Sequence, residues 1–424
     1  MQLPRGICPW MVVLGFVGSA SALGCSRSPT ESVASSESDL SGFPSAETPT
    51  FTTVFKAPLV VEGLAADRAG NLYAAGRQGT PTCPVWRVPS GGGAAVVVGN
   101  LPAPCSPNGV AFDASGDLFV ADGSTETNGT TGDRIYRLTP NATTPPTATL
   151  FCSGVPGANG IAFDRKGNLW AADGTTGQGR IWSVSPQGEV TEEFRVPPLA
   201  NLVSTVQTDA GVPTLLGGVG RDVRALPPGS LLITDSTRVA GNTAGTVPIV
   251  ANGVAFDPLG NLFIADTARG AIWEVQFDRE HGTLRSPVGC DTTFTPDTLC
   301  LKNILVQHPL LEGLDGIVLD DVGNMWGAAN ERNAMVLVTR DGRVNEVVRN
   351  PPDPTTQLRN EGPLEFPTSP FLLGRKLCIT QSDTTRRDNF PNTAGEVGPP
   401  GPALAKISCL DQPVFFAGLP LPVR

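Results

Sequence analysis

Five oxygen-bearing residues, Glu62, Asn108, Asn159, Asn252 and Asp315, each stand directly before a glycine at the head of a recurring phrase. Two carboxylates and three amides gathered around one axis would form a ring of hard oxygen donors. Hard divalent cations such as Ca²⁺ take roughly six to eight oxygen ligands and accept carboxylates, amide carbonyls and water. Such a ring can hold one cation and leave amides over to orient an organic ligand. Glu62 and Asp315 carry the metal expectation, because they stand where other copies have Asn and two acids near one axis repel without a cation between them. The asparagines also admit a plainer reading, since Asn-Gly is a common turn element whose side chain bonds nearby backbone.

The elements that must position these residues follow from the phrase itself. It reads P-N-G-V-A-F-D-A-S-G-D-L-F-V-A-D-G from Pro107, and near-copies start at Glu62, Ala158, Ala251 and Leu314. A repeat of roughly 50 residues points to a propeller or solenoid rather than to a chain of unrelated domains. Within a copy, two short runs of aromatic and β-branched residues flank D-x-x-G-N/D, which suits a β-hairpin with Gly116 at positive φ. Strand-like runs such as Arg134-Ile-Tyr-Arg-Leu follow, giving four antiparallel strands per repeat, the composition of a propeller blade. Weaker copies at Gly220–Ser236 and Pro367–Asp383 bring the hairpin cores to seven. The step from Gly220 to Asn252 is short for four strands, so six blades is the alternative. The expected fold is an all-β propeller of four-stranded antiparallel blades over residues 50–424, closed by Thr50-Phe-Thr-Thr-Val-Phe pairing with Pro413-Val-Phe-Phe-Ala.

In a hairpin, the start of the first strand and the end of the second share an edge. With first strands lining a central channel, Glu62, Asn108, Asn159, Asn252 and Asp315 therefore crowd one mouth. Asp122, Asp173, Asp235 and Asp266 share that edge one strand further out and read as turn caps. Asp113, Asp164, Asp257 and Asp320 lie in the hairpin turns at the opposite edge and read as structural.

The chain carries a formal net charge of −10 with 30 Lys and Arg, which argues against nucleic acid or an anionic membrane surface as a partner. Its two histidines, His281 and His308, lie outside the repeated positions, so a His-based hydrolase triad is not expected. Residues 1–25 read as an export signal: Arg5 precedes an apolar stretch that ends in Ala22-Leu23-Gly24-Cys25, similar to a bacterial lipoprotein cleavage box. Lipidation at Cys25 is expected, with ordinary cleavage after Ala22 as the rival. Residues 26–49, rich in Ser, Thr, Glu and Pro, suit a disordered tether. The chain is thus expected to be exported, periplasmic or outer-surface, a monomer that meets the membrane only through a lipid anchor, or soluble and secreted under the rival reading. Export permits disulfides, and proximity pairs Cys83 with Cys105, Cys290 with Cys300 and Cys378 with Cys409, leaving Cys152 as a buried thiol. No Cys or His set has zinc-ligand spacing.

Glu62-Gly, Pro107-Asn108-Gly, Ala251-Asn252-Gly and Leu314-Asp315-Gly, each followed by a strand and D-x-x-G-N-L-[YFWM]-like turns, resemble the SMP-30/gluconolactonase/LRE-like propellers. The resemblance covers roughly residues 55–385, and NHL-repeat and virginiamycin-lyase-like propellers share the hairpin phrase. It implies one divalent cation, Ca²⁺ or Zn²⁺, held by Glu62, Asn252 and Asp315, with Asn108 or Asn159 contacting the substrate. It further implies hydrolysis of a lactone or related cyclic ester, with the cation polarising the carbonyl and Asp315 or Glu62 as general base. Glu62-Gly-Leu-Ala-Ala departs from the family's E-G-P-x-W. The alternatives are a non-catalytic propeller that binds a ligand or protein through its mouth-side insertions at 196–219, 283–303 and 384–403, and a lyase using His308.

Overall fold

The computed structural model describes residues 50–77, 82–124, 134–174, 178–197, 249–349 (without 280, 293 and 312), 363–382 and 405–414. These form six antiparallel four-stranded sheets, arranged as a six-bladed β-propeller. Blades two to five each run from inner to outer strand in chain order. Blade two is Pro107–Phe112, Leu118–Asp122, Arg134–Leu138 and Thr149–Ser153; blade three is Ala158–Phe163, Leu169–Asp173, Arg180–Val184 and Val190–Arg195. Blade four is Val254–Phe256, Leu262–Asp266, Ala271–Val275 and Ile304–Gln307; blade five is Leu314–Leu319, Met325–Ala329, Ala334–Val338 and Val344–Arg349. In blade one the inner strand is split into Val60–Val61 and Ala65–Ala66, ahead of Leu72–Arg77, Thr82–Val88 and Val96–Pro102.

Blade six joins the two ends of the domain: Pro367–Leu373, Lys376–Gln381 and Lys406–Leu410 come late in the chain, and Phe51–Lys56 supplies the outermost strand. Phe51 pairs with Leu410 and Lys56 with Lys406. The N-terminal strand thus closes the ring, but on Lys406–Leu410 rather than on the expected run from Pro413. This arrangement covers the edge of Lys406–Leu410 and leaves Phe51–Lys56 as the blade's outer edge.

The buried apolar residues fall into six clusters, one at each seam between neighbouring blades. Period-two alternation explains how one strand feeds two seams. In Leu118-Phe-Val-Ala-Asp, Leu118 and Val120 face blade one while Phe119 and Ala121 face blade three. Both faces are covered, so the second strands read as unbroken apolar runs, and Leu118–Asp122, Leu169–Asp173 and Leu262–Asp266 are buried throughout. The six seams form a complete circuit, with blade three packed directly on blade four. The ring therefore has six blades, the alternative count from the sequence; six of the seven hairpin cores build them, and the core at 220–236 lies outside the described residues. The signal, Cys25, the 26–49 tether and Asp235 also lie outside them.

Each hairpin turn is organised by its leading aspartate. Asp164 accepts hydrogen bonds from the Lys166 and Asn168 backbone N–H groups at 2.8 and 2.9 Å, from Asn168 Nδ2 at 2.8 Å and from the Trp170 indole at 3.1 Å. Asp67 repeats the pattern with the Tyr73 hydroxyl at 2.9 Å. This is why the motif couples Asp to Asn and to a following aromatic. Cys83–Cys105, Cys290–Cys300 and Cys378–Cys409 are disulfide-bonded, and buried Cys152 stands outside these bonds.

Candidate functional site at the channel mouth

The inner strands share a defect that aims side chains at the axis. The pairing register slips between Pro107 and Val110, Ala158 and Ile161, Leu314 and Ile317, and Pro367 and Pro370. Each slip is a β-bulge at the motif's own dipeptide, and bulges re-aim the residue they carry. The split inner strand of blade one puts Glu62 at the same place. Asn108-Gly109 and Asn159-Gly160 are therefore strand bulges, not turns, whereas Asn252-Gly253 stands just ahead of the regular inner strand Val254–Phe256.

The glycines serve close approach between blades. A Cβ on Gly109 would lie 2.3 Å from the Asn159 carbonyl oxygen, one on Gly160 2.2 Å from that of Asn252, and one on Gly253 2.5 Å from that of Asp315. Gly63 and Gly316 meet the carbonyls of Asn108 and Thr368 in the same way, at 2.5 and 2.6 Å. Each residue after a mouth residue thus packs on the next blade's mouth residue. Gly63 N–H also donates to Asn108 O, and Gly253 N–H to Asp315 O, both at 3.1 Å. The sixth member, which the sequence motif did not reveal, is Thr368. It closes the circuit by donating from Oγ1 to Glu62 O at 2.8 Å.

The five sequence-derived residues are thus brought to one inner ring. Asn108, Asn159, Asn252 and Asp315 are all at most 5% exposed, and the Glu62 side chain is 12% exposed. A second circle of residues, at the end of each second strand or one place beyond it, meets them. Gly123 and Gly174 lie against the side chains of Asn108 and Asn159, where a Cβ would come within 2.5 Å. Thr267 Oγ1 accepts from Asn252 Nδ2 at 3.0 Å, and Asn330 Nδ2 donates to Asp315 Oδ2 at 2.9 Å. Asn108 Nδ2 reaches across to Ala158 O at 2.9 Å.

In blade one that second-circle position is Arg77, and it decides the electrostatics of the mouth. Its Nη2 forms an ion pair with Glu62 Oε2 and donates to Asn108 Oδ1, while Nε donates to Pro107 O at 3.1 Å. Burial lowers the guanidinium pKa to about 10 and the Asp315 charge pushes it back upward, so Arg77 is cationic at neutral pH. Sequence reasoning missed it, although a signal exists: four copies end in Asp-Gly, Asp-Thr or Ala-Asn, whereas the first ends in Gly76-Arg77. Gly76 is required there because a Cβ would fall 2.4 Å from the Trp86 ring.

The donor set read for a divalent cation is therefore already engaged. Glu62 is paired with Arg77, Asp315 accepts from Asn330 beside the same guanidinium, and Asn252 keeps its carbonyl oxygen but spends its amide on Thr267. In this arrangement Glu62, Asn252 and Asp315 do not fit a resident divalent ion.

The outer residues are structural. Asp122 accepts from the Ser106 and Ser124 N–H groups at 2.8 and 3.0 Å and pairs with Arg134 at 2.9 Å. Asp173 pairs with Arg180 at 3.1 Å, and Asp266 with Arg269 at 2.7 Å. The arginines, contributed by or just before the third strands, were not anticipated. Burial raises the Asp266 pKa against the pull of Arg269. His308 follows the fourth strand of blade four, three strand spacings from the inner strand, or about 14 Å. Its Nδ1 accepts from Leu310 N–H at 3.1 Å, and burial together with the Arg332 charge lowers its pKa.

Comparison with known proteins agrees with this picture at the level of fold. No curated protein sequence matches the chain. The calcium-binding protein regucalcin from Agrobacterium tumefaciens is 17% identical with a TM-score of 0.52, the match covering 88% of this chain and 99% of that one. A luciferin-regenerating enzyme is 13% identical with a TM-score of 0.53, covering 88% and 98%. Residues 222–359 match the model of the SMP-30/gluconolactonase/LRE-like region. The chain is accordingly a six-bladed β-propeller, and its residues 222–359 are similar to the SMP-30/gluconolactonase/LRE-like region.

Proposed function

We propose that this protein is an exported propeller that binds a small, oxygen-rich organic molecule of the sugar-lactone or cyclic-ester class at its channel mouth. The observation that supports this reading is the convergence of Asn108, Asn159, Asn252, Asp315, Glu62 and Arg77 on one ring, mixing amide donors and acceptors with one guanidinium. Amides offer both a donor and an acceptor, which suits hydroxyl-bearing ligands, and Arg77 adds a cationic donor for a carbonyl or carboxylate oxygen. The three disulfides point to an extracytoplasmic location. In this reading residues 1–25 direct export, Cys25 carries the lipid, residues 26–49 form the tether, and the propeller works as a monomer.

Calorimetric titration of the purified protein with sugar lactones and the matching aldonic acids tests the proposal. Binding of one equivalent, weakened in both Asn108→Ala and Asn159→Ala, is expected. Failure of every compound, or binding that ignores both substitutions, would sink it. Hydrolysis of the bound lactone is the second reading, favoured by the match over residues 222–359. Asp315 would then be the general base, since Glu62 is held in its ion pair. Acid release in the same samples, abolished in Asp315→Asn, separates catalysis from binding.

A further inference from the structure

Two carboxylates close to one axis need a positive charge between them, and the mouth supplies one from its own chain. Arg77 reaches inward from the end of blade one's second strand and is held by three groups: the Glu62 carboxylate, the Asn108 side-chain oxygen and the Pro107 carbonyl. About a third of the side chain remains exposed (31%), against 12% for Glu62. The same position is Gly123 and Gly174 in the next two blades, Thr267 in the fourth and Asn330 in the fifth. Of these five positions, then, only blade one's bears a cation.

We propose that Arg77 is the resident cation of the channel mouth, a built-in guanidinium that takes the place of a divalent metal and makes the site independent of calcium and zinc. A dication ligated by Glu62 would have to break the ion pair with Arg77. It would then sit beside a displaced guanidinium in partly desolvated surroundings, where like charges repel strongly. Removing that guanidinium instead takes from Glu62 its counter-ion in a ring that also holds the Asp315 carboxylate and the Asn252 carbonyl oxygen, and this is the chemistry of a hard-cation site.

The experiment is calorimetric titration of chelator-treated protein with CaCl₂ and, separately, ZnCl₂, with thermal unfolding measured in parallel. Wild-type protein is expected to take up neither ion at the mouth and to melt at the same temperature with calcium or with chelator. Arg77→Ala and the longer Arg77→Gln are expected to gain a site of one equivalent, with calcium affinity about tenfold or more above wild type. That site should vanish when Asp315→Asn is added. If wild type binds one calcium that Glu62→Gln abolishes, the proposal is overturned. It is equally overturned if Arg77→Ala, shown to be folded by circular dichroism and a cooperative melt, binds no ion. The wild-type titration decides the matter even where a variant fails to fold, and its outcome does not depend on whether lactones bind.

Discussion

Replacing Gly109 by alanine is a direct test of how the ring closes. The added methyl carbon would lie 2.3 Å from the Asn159 carbonyl oxygen and 3.1 Å from the Ile161 nitrogen, both backbone atoms of the neighbouring blade. A tolerable contact needs a separation of about 3.5 Å, so one inner strand must move by about 1 Å against a seam packed on both sides. Overpacking a close-packed interior costs about 1–3 kcal/mol. The upper end applies here, because the obstructing atoms are main chain and cannot rotate away. Alanine returns about 0.4–1 kcal/mol by restricting the unfolded chain, leaving a net loss of about 2 kcal/mol.

Two control glycines separate this effect from the ordinary ones. Gly116 sits at φ +93° in a hairpin turn with open space around it, so alanine there costs only the left-handed conformation, about 1–2 kcal/mol. Gly91 has neither a positive φ nor an atom within 4 Å of an added Cβ, and alanine there should be neutral or stabilising by up to about 1 kcal/mol. Urea unfolding of the three variants gives the ranking, with wild-type slope required in each. If Gly109→Ala is no less stable than Gly91→Ala, the motif glycine is not there for close approach, and the account of the ring fails.

Other consequences can be measured with the same protein. Cys378 and Cys409 pair across adjacent strands of the closing blade with a separation of 31 residues; loop-closure entropy then assigns the bond about 4 kcal/mol. Replacing both by serine should lower the unfolding midpoint, and an unchanged midpoint would contradict this. Burial and the hydrogen bond to Asp67 raise the Tyr73 pKa to about 12 from 10.0. The proton is thus held more tightly in the folded state, and stability falls by about 3 kcal/mol as pH rises from 10 through 12. With only two tyrosines in the chain, absorbance at alkaline pH should show a late titration that Tyr73→Phe removes; a single ordinary transition in wild type would refute it. Deleting residues 50–56 strips Lys406–Leu410 of its partner, leaving an open edge. Light scattering should then report association at concentrations where the full chain stays monodisperse.

Most of the scaffold could be read from local signals, because each blade's hairpin is a local structure. Asp67, Asp164 and Asp320 organise turns whose partners lie within six residues, so residue types and short spacings were enough to place them. The apolar second strands were equally plain, since both of their faces are buried. Blade number was harder. A hairpin core such as Gly220–Ser236 carries the local pattern, yet a blade also needs a place in the circuit of seams, and the packing of Trp170 and Phe194 on Val254 and Trp273 joins blade three to blade four directly.

The candidate site divides along the same line. Glu62, Asn108, Asn159, Asn252 and Asp315 stand out because each is written with the following glycine as a dipeptide at the head of its repeat. Thr368 is followed by Ser369 and so escaped the pattern. A hydroxyl can hold the ring by bonding Glu62 O, and that contact joins residues 306 positions apart. Arg77 escaped for a deeper reason. A motif is a statement about one position across the repeats, whereas the charge at the axis is a sum over every residue that reaches it. The head of the first repeat supplies a carboxylate and its tail supplies the guanidinium that neutralises it. Comparing heads alone gives a binding site for a dication. Comparing heads with tails shows that Gly76-Arg77 departs from the pattern in the very repeat where Glu62 does, and these paired departures give a site whose cation is part of the chain.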